Sequence, residues 1–331
     1  MKFILKTLAL LAAFTFFTFA VYFSYFGPVS KSVETKTFII PQERESFNLT
    51  DSLFDQKLIK NKEGFKFLFD NFSKNEEIKP GGYEIQPGGY KLNQSMTALQ
   101  ILRKIESKQD LFWVNIFNCP RKEQVGEKLV NTLGWNNEQL SQWNNLFKGT
   151  EYFEGVYYPD TYLIPADESV EQVVKRFMNR FNEKFVPLSD QFVSKNIKWT
   201  TGIKIASLIA REAAGREDAK TISGVIWNRL NDDMRLQIDA TMQYTLGKNE
   251  GGSWWGSIDL EQKQLDSPYN SYKNEGLPPT PICSPNIDFI EAALNPEETD
   301  CLYYLHDSNR QIHCAKTYTE HKENIIKYLK I

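Results

Sequence analysis

The sequence predicts an α+β protein carried on one N-terminal single-pass transmembrane helix, with a small α/β module followed by a larger α+β domain. Three observations lead there. Thr7 to Phe26 is a 20-residue run without a charge. Short apolar runs rich in β-branched and aromatic residues alternate with longer segments of helical period. With 331 residues the chain has room for two or three domains and a substantial core.

The apolar run spans about 30 Å as a helix, the thickness of a bilayer core. Lys2 and Lys6 precede it, and Tyr22 and Tyr25 lie near its far end, where aromatic rings anchor at the interface. A cleaved signal peptide is the rival reading. The run is long for one, and no small-x-small cleavage site follows, which favours an uncleaved anchor. Residues 1–6 are then cytoplasmic, 7–26 cross the inner (cytoplasmic) membrane, and the remainder is extracytoplasmic.

Residues 27–35 read as a polar tether and 36–110 as the small module. Within it, Thr37-Phe-Ile-Ile-Pro41 is strand-like, and 49–75 has helical spacing with Asp51 as N-cap. Pro80-Gly-Gly-Tyr83 recurs as Pro87-Gly-Gly-Tyr90, each a turn entering a short strand, with Tyr83 and Ile85 on one face. Ser95 to Ile105 is an amphipathic helix. Residues 111–165 are expected to connect the domains, through a strand at 111–118, helices near 121–134 and 137–147, and the turn-rich aromatic stretch 154–165. The final domain, 166–331, opens with a helix from Ser169 to Phe185, capped by Ser169 and Gln172, whose stripe is Val170, Val173, Val174, Phe177 and Phe181. Helices at 200–214 and 217–230 follow. Residues 234–285 have no regular pattern, and irregular stretches of that length are usually functional. A strand at Leu302–Leu305 and a helix at Tyr318–Leu329 close the chain.

Acidic and basic residues number 42 and 39, and without Lys2 and Lys6 the balance is near −5. With no long basic run, nucleic acid is not an expected partner. Four cysteines (Cys119, Cys283, Cys301, Cys314) are too few for a disulfide-built fold, although a pair among the last three is compatible with an oxidising compartment. Neither they nor His306, His313 and His321 have metal-ligand spacing, so no metal and no cofactor is expected.

The chemistry centres on Glu212. In Lys204-Ile-Ala-Ser-Leu-Ile-Ala-Arg-Glu-Ala-Ala-Gly215 the apolar stripe runs Ile205, Leu208, Ile209 and then meets Glu212. A poorly solvated carboxyl group keeps its proton closer to neutral pH and can deliver it to a leaving oxygen. A structural ion pair with Arg211 or Arg216 is the bland alternative. Gln237 and Asn270 are neutral amides suited to sugar hydroxyls or an N-acetyl group. Tyr269, Tyr272, Trp254 and Trp255 offer faces on which pyranose rings stack.

In their order, Glu154-Gly-Val-Tyr-Tyr-Pro-Asp-Thr-Tyr162, Ala206-Ser-Leu-Ile-Ala-Arg-Glu212, Asn228-Arg-Leu230, Leu236-Gln-Ile-Asp239, Ser267-Pro-Tyr-Asn-Ser-Tyr272 and Gly276-Leu-Pro-Pro279, with Glu320-His321 and Asn324, resemble the membrane-anchored endolytic murein transglycosylases, the MltG/YceG-like family. The resemblance covers nearly everything after the apolar run. It implies that Glu212 is the catalytic acid/base, that residues 36–110 are a LysM-like glycan-binding module, and that 166–331 is the catalytic domain. The substrate would be peptidoglycan, cut between N-acetylmuramic acid and N-acetylglucosamine to leave 1,6-anhydro ends. Gln237, Asp239, Tyr269, Asn270 and Tyr272 are the expected substrate-binding residues. Peptidoglycan synthases and elongation or division proteins are plausible partners beside a membrane anchor.

Two departures stand out. Many relatives carry Glu or Gln where this chain has Ala210, and the His and aromatic expected before the last helix fall at Ile312 and Cys314, with His313 one place out of register. One carboxyl suffices for a transglycosylase, whereas a common hydrolytic glycosidase needs two. The alternatives are a membrane-tethered peptidoglycan-binding scaffold without catalysis, and a muramidase pairing Glu212 with Asp239 or Asp218.

Overall fold

The computed structural model describes residues 2–73, 85–146, 148 and 154–329. The expected turn at Pro80–Tyr83 lies outside them. The chain forms two compact units, Met1–Val114 with Tyr162–Asp167, and Asn115–Thr161 with Glu168–Ile331.

The first unit begins with α1 (Lys2–Phe26), which carries the segment Lys6–Phe26, long and apolar enough to cross a membrane. Then come β1 (Lys36–Ile40), α2 (Leu49–Asp55), α3 (Lys62–Phe72), β2 (Gly88–Leu92), α4 (Ala98–Ile105) and β3 (Leu111–Asn115). The helical stretch expected at 49–75 breaks into α2 and α3, and Asn48, not Asp51, caps α2. β1 runs antiparallel to β2, Phe38 facing Tyr90, and β2 is antiparallel to β3 at Gly89 and Leu111. A Cβ on Gly89 would stand 2.9 Å from Leu111 Cβ, so this crossing requires glycine. With β4 (Thr161–Pro165) the sheet order is β1-β2-β3-β4. All but one residue of β3 and of β4, expected in the connecting stretch, belong to the first unit. Pairing with distant strands decided their place, and one strand's residues carry no record of its neighbours. The core gathers Phe38, Leu53, Phe65, Tyr90, Ile101 and Leu102. α4 is closed by the reciprocal bonds of Thr97 and Gln100.

The second unit holds α5 (Lys122–Leu133), α6 (Asn137–Asn145), α7 (Val170–Phe185), α8 (Ser189–Ser194), α9 (Trp199–Glu212), α10 (Ala219–Asn231), α11 (Asp239–Leu246), α12 (Ile287–Leu294), a hairpin of β5 (Tyr303–His306) and β6 (Ile312–Ala315), and α13 (Tyr318–Leu329). Ser169 and Gln172 cap α7 as its sequence requires, and Val170, Val173, Val174, Phe177 and Phe181 are its buried face. α9 is the central helix, packed against α10, α11 and α12. Ile205, Leu208 and Ile209 are wholly buried, at about 2 kcal/mol of transfer free energy each. Gly202 lets α8 approach, since a Cβ there would fall 2.2 Å from the Phe192 ring. α11 and α12 are absent from the sequence reading. α11 has no strong apolar stripe, and α12 is short with alanines Ala292 and Ala293 on its buried side.

Disulfides join Cys119 to Cys283 and Cys301 to Cys314. The second lies among the last three cysteines and closes the hairpin. The first links residues 164 apart in sequence, a pairing that only the fold brings together.

Candidate active site

Glu212 is the last residue of α9, where Ala213 turns extended. Unpaired carbonyls at a helix C-terminus disfavour an anion. The residue lines a cavity of about 300 Å³ whose apolar wall is Val225, Ile226, Leu236 and Ile238. Burial is the largest influence on its carboxyl and raises its pKa, and Asp239 adds to the rise. A hydrogen bond from Tyr304, and the charges of His306 and Arg211, oppose it. The net shift is upward, which makes Glu212 a group able to hold and return a proton. The bland alternative does not fit. Arg216 pairs with Asp288 at 2.8 Å, Arg211 lies 4.0 Å above the Trp255 ring, and Glu212 has no ion pair among the described residues. A larger groove of about 820 Å³ beside Trp227 lies elsewhere on this unit, but Glu212 is not among its lining residues.

Tyr304 Oη donates to Glu212 Oε2 at 2.7 Å. Two positions along β5, His306 Nε2 meets Asp218 Oδ2 at 2.6 Å. Asp218 also accepts from the backbone N–H groups of Ala214 and Gly215, so it fixes the turn that leaves Glu212. Sequence reading missed Tyr304 and His306 because nothing local links β5 to α9. The hairpin register pairs His306 with Ile312, the position where the family pattern expects a histidine. An imidazole therefore stands on the neighbouring strand. His313 is occupied elsewhere, bonded to Asp307 and stacked on Tyr328 at 3.5 Å.

Gln237 and Tyr272 form another part of the cavity wall. Gln237 is exposed and held at φ 53°, a left-handed conformation unusual for its type, and its N–H donates to the Ser271 carbonyl. The buried hydroxyls of Ser271 and Thr241 bond to each other and to Ile238, locking this segment to the 267–272 loop. Tyr272 Oη donates to Asp239 Oδ1, and Lys263 Nζ reaches both, at 3.0 Å each.

Other expected binding residues lie behind this wall. Asn270 is 0% exposed, its amide donating to the Lys263 and Leu265 carbonyls and accepting from Tyr272 N–H. It shapes the loop: both of its amide hydrogens are spent on backbone carbonyls, and burial keeps its oxygen from the cavity surface. An amide, with two donors and an acceptor on one short side chain, can close all three of these backbone bonds at once. Tyr269 places its ring 4.9 Å from Tyr244 and bonds Thr280. Trp254 and Trp255 bond Glu127 and Gln124 and stack on arginines. Added to the cavity instead are Arg229, Tyr303, Tyr318 and His321. Arg229 and Asn228 bond the Leu302, Thr299 and Cys301 carbonyls, so the Asn228-Arg-Leu230 motif secures the approach to β5.

The model of the YceG-like family matches residues 38–327. Over 184 residues, 55% of this chain, the sequence is 34% identical to the endolytic murein transglycosylase of Streptococcus pneumoniae serotype 2, covering 33% of that protein. Over 177 residues, 53% of this chain, it is 34% identical to the endolytic murein transglycosylase of Bacillus subtilis, covering 48% of it. The matches thus span a third to a half of those relatives' length. A crystal structure of a YceG-like protein from Listeria monocytogenes superimposes with a TM-score of 0.59 and 27% identity, over 88% of this chain and 99% of that one.

Proposed function

This chain belongs to the YceG-like family, and from that premise we propose that it is an endolytic peptidoglycan lytic transglycosylase with Glu212 as its single general acid/base. The observation that carries the proposal is a carboxyl group at the end of α9, held by Tyr304 and lining a cavity together with a neutral amide and aromatic rings, in surroundings that raise its pKa. Glu212 protonates the glycosidic oxygen between N-acetylmuramic acid and N-acetylglucosamine. The 6-hydroxyl of the muramic acid then attacks its own C1 and returns its proton to Glu212. Intramolecular attack needs no positioned water and gains from effective molarity. Gln237 is the group that meets the N-acetyl substituent, and Tyr272, braced by Asp239, forms a wall of the cleft. Asn270 and Tyr269 act one layer back, by holding that wall.

A muramidase needs a second carboxylate free to activate water. Asp218 is buried with its oxygens engaged by Ala214, Gly215 and His306, and Asp239 is bound by Tyr272 and Lys263. Both arrangements favour the single-carboxylate reaction. In this reading residues 36–110 are a LysM-like glycan-binding module. The apolar helix anchors the chain in the inner membrane with its N-terminus cytoplasmic, beside peptidoglycan synthases and elongation or division proteins.

The test incubates the full chain in detergent micelles with purified peptidoglycan and identifies the released ends by mass spectrometry. Anhydro-muramic ends, lost in Glu212→Gln, support the proposal. Reducing ends carrying one added water would make it a hydrolase, and retention on glycan without either product would leave a binding scaffold.

A further inference from the structure

We propose that Tyr304 is a positioning residue that divides the Glu212 carboxyl group into a held oxygen, Oε2, and a working oxygen, Oε1, with His306 and Asp218 keeping the two in register. The direction in which the proton moves rests on the transglycosylase reading above, while the division of the carboxyl does not.

Tyr304 lies 92 residues from Glu212 in sequence, yet its hydroxyl is 2.7 Å from Oε2. Burial and the neighbouring Glu212 hold the phenol well above its ordinary pKa, so it remains a donor throughout the neutral range. A phenol that cannot give up its proton is a fixed hydrogen-bond donor and not an acid. With Oε2 occupied, Oε1 is the oxygen left to face a substrate. In the first step the Oε1 proton passes to the glycosidic oxygen, which leaves C1 with the bonding electron pair. In the second the 6-hydroxyl oxygen bonds to C1 and its proton goes to Oε1. Between the two steps Glu212 is an anion, and the Tyr304 bond is strongest in that state because charge-assisted hydrogen bonds exceed neutral ones.

Strand alternation sets Tyr304 and His306 on the same face of β5. Their rings meet edge to face, centroids 6.2 Å apart. Through Asp218, His306 grips the Ala214 and Gly215 amides that follow Glu212, so one strand holds both the carboxyl and the turn beyond it. The other charged groups around Glu212 come from its own helix and from three further elements. Arg211 on α9 and Asp239 at the start of α11 act on it directly. Arg229 of α10 and His321 of α13 line the same cavity.

The experiment titrates the Glu212 carboxylic acid band by infrared difference spectroscopy on the full chain in micelles, the band being assigned by its loss in Glu212→Gln. This readout needs no substrate. In Tyr304→Phe the anion loses its donor, so the midpoint moves up by about one pH unit or more. The kcat falls by about tenfold to a hundredfold with KM within about twofold, and the basic limb of the pH profile moves up with the midpoint. Replacing Tyr304 by 3-fluorotyrosine, nearly the same shape and a stronger donor, moves the midpoint down. It also covers the case in which Tyr304→Phe fails to fold. Opposite shifts from the two replacements are what a merely structural tyrosine cannot produce. A midpoint unmoved in both overturns the proposal. If the midpoint moves but the wild type releases no anhydro ends, the positioning role stands and the reaction reading fails.

Discussion

Asn270→Ala separates two roles for one residue, substrate contact and loop support. The side chain is wholly buried and makes three hydrogen bonds, to the Lys263 carbonyl at 3.1 Å, to the Leu265 carbonyl at 2.7 Å and from Tyr272 N–H at 2.9 Å. Each such bond is worth about 1 kcal/mol net, so their loss together destabilises by about 3 kcal/mol, and more where the freed backbone groups stay dry. For a unit of this size that lowers Tm by about 6–12 °C. The loop carries Tyr272, so turnover falls as well, through displacement of Tyr272 and of Asp239 bonded to it. Calorimetry of the full chain beside its wild type, with turnover on peptidoglycan well below the transition, gives both numbers. Asn270→Asp keeps the acceptor for Tyr272 N–H but sets a carboxylate against two carbonyls, and is expected to be at least as destabilised. A Tm within about 1 °C of wild type, with KM raised and kcat intact, would refute the reasoning and return Asn270 to the substrate.

Gln237→Gly relieves the left-handed backbone and removes the carboxamide, so stability rises by about 0.5–1 kcal/mol while KM increases; denaturant unfolding and steady-state kinetics check the two signs. Glu154, 1% exposed, accepts from the Lys122 N–H through both oxygens, and burial pushes its pKa up to about 8. A carboxyl raised in the folded state stabilises most below its unfolded pKa and loses that contribution as pH rises through the folded one. Stability is therefore expected to fall between about pH 4.5 and 8, by at most about 1.4 kcal/mol per unit, with the slope reduced in Glu154→Gln. The neighbouring Lys122, lowered to about 8, has the opposite sign and acts only above that window. Replacing Cys301 and Cys314 by alanine frees a loop of 13 residues and costs about 3 kcal/mol, against about 5 kcal/mol for Cys119 and Cys283, whose loop is 164 residues; both are read from denaturant midpoints.

The sequence by itself determined what is local or periodic. The charge-free run became α1, Ser169 and Gln172 capped α7, and the stripe Ile205, Leu208, Ile209 brought Glu212 to the cavity, because a 3.6-residue repeat commits a helix face before any partner is known. The ordered motifs also carried the family. They did not carry the jobs of their residues. Asn270 reads equally well as a ligand group or as a loop staple, since an amide's hydrogen-bonding capacity is the same in both roles, and only burial and partners tell them apart. The first unit's claim on β3 and β4, the Cys119–Cys283 bond, and the meeting of Tyr304 with Glu212 were decided by tertiary structure alone. Each joins residues far apart in sequence. Such contacts form when several buried faces are satisfied together, and no single segment encodes that outcome.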